Sequence, residues 1–188
     1  THLANEIEHF STKTKFNFQD LTTPLSVLNM TYPTESFDIL KFLHGKDGLY
    51  NVMNYERVTT PYEQICNFEY KPGIVEKYGK LFALDTIGKY SAKIESICKA
   101  IKNSTGIVLI YSRYLEGGLL PMALALEEMG FSRYSYSSHV RSFMKKSEQT
   151  EYLNPLTMKK RDKKDPYIAK YAMITGTRLF SQNNELDL

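Results

Sequence analysis

The chain has 188 residues, of which 42% are hydrophobic and 24% charged, and it carries a net charge of +3. That is room for one domain with an appended arm, and the balance excludes a disordered tail, a fibre and a disulfide-stapled miniprotein. The longest apolar run, Ile107 to Tyr111, is strand-sized and far short of the roughly 20 residues of a membrane span, so no membrane partner is expected. From the first residue, the order Thr-His-Leu-Ala-Asn-Glu has no apolar core segment, so no signal peptide is expected there. A first residue of Thr rather than Met predicts a piece excised from a longer protein.

Residues 1 to 85 read as an irregular connector. Turn punctuation recurs at Thr22-Thr23-Pro24, Tyr32-Pro33-Thr34, Gly45-Lys46-Asp47-Gly48, Thr59-Thr60-Pro61 and Lys71-Pro72-Gly73. Phe37, Leu40 and Leu43 keep helical spacing, with Gly45 and Gly48 as the expected stop. Asn67 to Tyr70 alternates in polarity and predicts the end of a strand. The second half is more regular. Ser91 is placed to cap a helix over 91–102, because Ile94, Ile97, Cys98 and Ile101 fall on one face. The β-branched-rich run 107–111 predicts a buried central strand. A polar turn, Ser112 to Gly118, leads into a helix over 119–129 with Pro121 in its first turn and Gly130 as its left-handed stop. Tyr171 to Gly176 predicts a second buried strand, parallel to and neighbouring the first. The order is that of a βαβ unit with a long insertion before its last strand, hence an α/β fold with a parallel sheet.

Ligands of such sheets bind beyond the carboxyl ends of the strands, which here means Ser112 to Gly118 and the chain after Gly176. A serine, an arginine and paired glycines at the mouth of a helix suit an anion: backbone N–H groups point outward and Arg113 adds a forked cation. The same glycines, Gly117 and Gly118, serve equally as a tight turn beside a solvated Arg113. The positive charge is local as well. From His139 to Lys164 eight bases face three acids, and Tyr134, Tyr136, Phe143, Tyr152 and Tyr167 are interleaved with them. Aromatics among bases can stack on nucleobases while Arg141, Lys145 and Lys146 meet phosphates; a solvated loop is the plainer alternative.

Other chemistries are poorly supplied. Gly45-Lys46 is no phosphate loop, because Leu40 stands where a glycine is required and Asp47 where a Ser or Thr is required. No Asp-Glu pair follows an apolar strand to hold Mg2+. Ser112 lacks the flanking glycines of a nucleophile elbow; Ile110 and Tyr114 occupy those positions. Cys66 and Cys98 have no CxxC spacing or histidine pair beside them, so no metal site is expected, and two lone thiols point to a reducing compartment. No catalytic residue is assigned.

The stretch from Ile107 to Phe131, with Ser112-Arg113-Tyr114-Leu115-Glu116-Gly117-Gly118 at its centre, resembles the opening of the second RecA-like domain of superfamily 2 helicases. It is most similar to those of large cytoplasmic DNA viruses, the group of the African swine fever virus helicases and the poxvirus early transcription factor ATPase. The Tyr90 to Ile94 helix start, the Gln64 to Pro72 stretch between the motor domains, and Tyr171 to Gly176 are similar as well. The resemblance covers about residues 55 to 176. It implies a connector over 1–85 and a partial RecA-like domain over 86–188 with a basic insertion over 132–170. It further implies a parent that uses ATP and Mg2+, acts on DNA or RNA in viral unwinding or early transcription, and works in the host cytoplasm or virion beside the viral transcription machinery. In that family the Ser112-Arg113 neighbourhood touches the nucleic-acid backbone. The chain departs from the family in lacking both the phosphate loop and the Q-x-x-G-R-x-x-R arginine motif, so no cofactor is expected for the fragment alone. The alternatives are a non-catalytic RecA-like module that binds nucleic acid or a polymerase, and, more remotely, half of a nucleotide-sugar transferase.

Overall fold

A computed structural model describes residues 21–59, 64–134, 142–145, 151–162, 164–176 and 180. Two helices, α1 (Thr22–Asn29) and α2 (Ile39–Leu43), precede α3 (Gly45–Val52). The glycines expected to stop a helix split in role. Gly45 does break the chain, at φ +62°, after the extended residue His44. Gly48 instead lies inside α3, because only a residue without a Cβ lets the Tyr32 ring approach: a Cβ there would stand 2.5 Å from Tyr32 Cδ2.

The chain then forms an antiparallel hairpin of β1 (Met53–Thr59) and β2 (Gln64–Tyr70), in register from Met53 opposite Tyr70 to Thr59 opposite Gln64. Its period of two is plain on β2, where Cys66, Phe68 and Tyr70 are buried and Asn67 and Glu69 are not. The segment 142–145 adds to the free edge of β2 in parallel. Phe68 N–H donates to the Phe143 carbonyl at 2.6 Å, and Lys145 N–H donates to that of Phe68 at 3.0 Å.

After α4 (Ile74–Tyr78) and a short 3-10 turn (Ile87–Lys89), α5 spans Ala92–Asn103, as the apolar spacing predicts. Ser91 caps it, its Oγ accepting from Ile94 N–H at 3.0 Å and donating to the Asn29 carbonyl at 2.5 Å. A π-helical turn (Leu115–Leu119) leads into α6 (Leu120–Met129), which Gly130 ends at φ +102°. Every residue of α6 from Leu120 to Glu128 is buried, acids included. Leu119, Met122, Ala123, Leu126 and Met129 fall on one face by spacing, yet the helix is buried on all sides.

The sheet of the second half is much smaller than expected. Its parallel pair is β3 (Ser132–Arg133) with β4 (Lys170–Tyr171), two residues each. The expected partner, 107–111, forms no strand. Ile107, Leu109 and Tyr111 stand 103%, 93% and 88% exposed, and no backbone hydrogen bond joins 107–111 to another described residue. A β-branched run gains from extended structure only where neighbours cover both its faces. Here 107–111 and 170–174 line a common cavity instead of pairing with each other. The fold is mixed helix and strand with small sheets. One core unites both halves: Met30, Leu49, Phe68 and Phe82 share it with Ile94, Cys98, Leu120 and Leu124.

Candidate nucleic-acid interface

The Ser112–Gly118 turn is built by close approach. Ser112 Oγ accepts from Tyr114 N–H at 3.2 Å and donates to the Tyr114 carbonyl at 3.1 Å, folding the chain back just before the π-helical turn. Gly118 then passes so near that a Cβ would stand 2.4 Å from Ser112 Oγ. Gly117 is buried, and a Cβ there would stand 3.0 Å from Ser26 Oγ. Neither glycine has a positive φ, so both are required for packing and not for backbone conformation. The turn thus joins Ser112, Gly117 and Gly118 in one unit and leaves Arg113 exposed beside it.

Beside this turn lies a cavity of about 670 Å³ between 106–112 and 169–174. Ile107, Leu109 and Tyr111 line one wall, Ala172 and Ile174 the other, and Met122 of α6 lies in the lining; Ser112 and Lys170 supply polar groups. The volume falls within the ordinary range of small-ligand sites. Lys170 also sits over the Tyr134 ring, 5.7 Å from its centroid.

Lys145, Lys160 and Arg161 of the basic stretch are engaged by partners of their own. Lys145 Nζ is engaged by the hairpin, 2.9 Å from Glu69 Oε2 and 3.2 Å from Glu56 Oε2, and these bonds raise its pKa. Lys160 pairs with Glu151, and Arg161 Nε donates to the Asp165 carbonyl at 2.6 Å. Arg141 and Lys146 lie outside the described residues.

A buried polar cluster went unseen in the sequence. Glu127 Oε1 accepts from Phe143 N–H at 2.8 Å and from the Tyr171 hydroxyl at 2.6 Å, while Oε2 accepts from Met144 N–H at 2.7 Å. Burial pushes its carboxyl up to about 7, against the opposing pull of those three donors and of Arg133. Arg133 is itself buried, its pKa lowered by desolvation; its guanidinium lies 3.9 Å from the Phe143 ring centroid and donates to the Phe180 carbonyl. Glu128, next to Glu127 in sequence, accepts from the Tyr70 hydroxyl at 3.3 Å and stands 3.5 Å from Lys80 Nζ. The available signal was two adjacent acids inside an otherwise apolar helix, Leu124-Ala125-Leu126-Glu127-Glu128-Met129, with only one of them on the face opposite Leu126.

Among the described residues, Gly45-Lys46-Asp47 does not fit the phosphates of a nucleoside triphosphate with Mg2+. Gly45 is packed beneath Ser26 Oγ, Lys46 Nζ lies over the Tyr50 ring, and Asp47 stands where a metal-binding hydroxyl is required. Among the described residues no group of three or more His, Cys, Asp or Glu is arranged to hold a metal ion, and no helix is long and apolar enough to cross a membrane. No protein-family model, curated protein or solved structure matches this chain.

Proposed function

We propose that the chain is part of the second motor domain of an ATP-dependent superfamily 2 helicase or translocase of the kind found in large cytoplasmic DNA viruses. On this reading it meets the backbone of DNA or RNA through Ser112, Arg113, Gly117 and Gly118, with the bases Arg141, Lys145 and Lys146 as a secondary contribution. The observation that carries it is the turn at the mouth of α6, where Gly118 is packed against Ser112 and Arg113 is exposed beside them. A cation on a turn held this tightly loses little entropy on meeting a phosphate. ATP and Mg2+ belong to the parent protein, whose other parts would supply the phosphate loop and the arginine motif. Host cytoplasm or virion, and the company of the viral transcription machinery, follow from the same reading. The alternative, a RecA-like module that binds nucleic acid or a polymerase without catalysis, would use the same turn, and a parent protein without a phosphate loop would decide for it.

Anisotropy of a labelled single-stranded oligonucleotide tests the contact at three salt concentrations. Binding is expected to be weak and indifferent to sequence. With about three phosphate contacts, affinity should drop roughly twentyfold between 50 and 200 mM salt. Arg113→Ala should weaken binding at least several-fold. Lys145→Ala should change it less, because that ammonium is already held by Glu56 and Glu69. No binding at low salt, or binding indifferent to Arg113→Ala, would remove the turn from the interface.

A further inference from the structure

We propose that Glu127 is a proton-operated latch on the 142–145 segment, its carboxyl group lying beneath that segment and gripping it by the amides of Phe143 and Met144. The same carboxyl takes the Tyr171 hydroxyl, so one side chain of α6 ties the edge of the hairpin to β4. Without it, the described backbone bonds holding the segment to β2 are the two to Phe68.

The burial of Glu127 depends on the segment it holds. The side chain belongs to a residue 2% exposed, and two of its three hydrogen-bond donors are backbone groups of 143 and 144. Lifting 142–145 therefore hydrates the carboxyl and removes those donors in one step. The charged and titratable groups around it are few. Arg133 of β3 is the nearby cation, Tyr171 of β4 is a donor, and Cys66 of β2 lies close to Arg133. Lys145 on the segment itself is turned to Glu56 and Glu69, and Glu128 on the same helix is served by Tyr70 and Lys80. No ion pair is formed directly to Glu127 among the described residues, so its charge rests on dipoles in a dry site.

The sign follows from linkage. Closed, the carboxyl titrates near 7; open and hydrated, it returns toward its ordinary 4.5. The closed state holds the proton more tightly, so proton uptake closes the latch and proton loss opens it. The neutral carboxyl still accepts from an amide and gains a hydroxyl to donate. The window runs from about 4.5 to about 7. Within it the opening equilibrium rises roughly tenfold per pH unit, and above it the rise levels off. The segment lies within the basic stretch, so the latch sets whether Lys145 stays docked on the hairpin. It stands whether or not the chain meets nucleic acid.

Amide hydrogen exchange from pH 5 to 8, divided by the intrinsic rate at each pH, tests this on the whole chain. The amides of Phe143, Met144 and Lys145 should lose protection about tenfold per unit up to pH 7 and then level. In Glu127→Gln, which has no proton to release, their protection should be flat with pH. A flat wild-type profile would overturn the latch. So would the same rise in Glu127→Gln, or a rise shared equally by the amides of α5. A second variant covers the case in which Glu127→Gln does not fold. Tyr171→Phe removes a donor that favours the charged form, so the midpoint of the profile should move to higher pH; an unmoved midpoint would also overturn it.

Discussion

Gly48 and Gly118 have the same composition and opposite visibility. Gly118 follows Gly117 in a polar turn, and the pairing announces a place where chains pass closely; the structure supplies the neighbour, Ser112 Oγ. Gly48 reads as helix punctuation, yet it is helical, and the reason lies sixteen residues upstream in the buried Tyr32 ring. No local pattern encodes that approach. The two views make opposite predictions for Gly48→Ala. A helix interior gains about 1 kcal/mol from such a change by propensity alone. The added Cβ would also stand 2.5 Å from Tyr32 Cδ2 and 3.1 Å from the Phe42 carbonyl oxygen, and forcing a filled core apart costs about 1–3 kcal/mol. At a 2.5 Å approach packing outweighs propensity, so urea denaturation should show Gly48→Ala less stable than the parent by up to about 2 kcal/mol. The burial of Glu127 and Glu128 is illegible for the same reason. An acid on a helix is usually solvated, and the amides of Phe143 and Met144 that hold this one come from a segment about 16 residues away in sequence.

The elements that were legible are those closed by their own ends. In α5, the cap, the apolar face and the termination are all local, and each is realised. Ser91 does two jobs, satisfying an orphan N–H of the first turn and tying the helix to the Asn29 carbonyl of α1. Ser91→Ala removes both bonds and leaves Ile94 N–H without its acceptor. The expected loss is about 1–2 kcal/mol, the upper part of the range for a lost cap, measured by thermal or urea unfolding. Ser91→Asp should recover part of it, because a carboxylate accepts from Ile94 N–H but cannot donate to Asn29. Likewise α6 was bounded correctly by Pro121 and Gly130. The strand expected over 107–111 failed because a strand is a relation between two segments. Its residues have the right propensity, but propensity does not supply the pairing, and the run instead lines a cavity together with Ala172 and Ile174.

At the scale of the whole molecule, the core joins what the sequence divides, since α3 and the hairpin pack with α5 and α6 around one set of buried side chains. The chemistry is divided differently. Phosphoryl transfer asks little of a protein beyond positioning and charge: backbone amides and a lysine around the β- and γ-phosphates, a hydroxyl and an acid on Mg2+, and an arginine for the transition state. The described residues include the Ser-Arg turn that we propose faces nucleic acid, and none of those groups in a phosphate-binding arrangement among them. Gly45-Lys46 opens a helix, but its lysine lies on Tyr50 and its neighbour Asp47 would repel a phosphate. The purified chain should therefore release no phosphate from ATP above the rate of buffer alone, with or without oligonucleotide, in a colorimetric assay with Mg2+. The same preparation should still bind the oligonucleotide at low salt, which separates a folded, inactive motor fragment from a misfolded one. Phosphate release that follows the protein through every purification step and rises with oligonucleotide would show that the chain carries a complete ATP site, and would overturn its reading as a fragment.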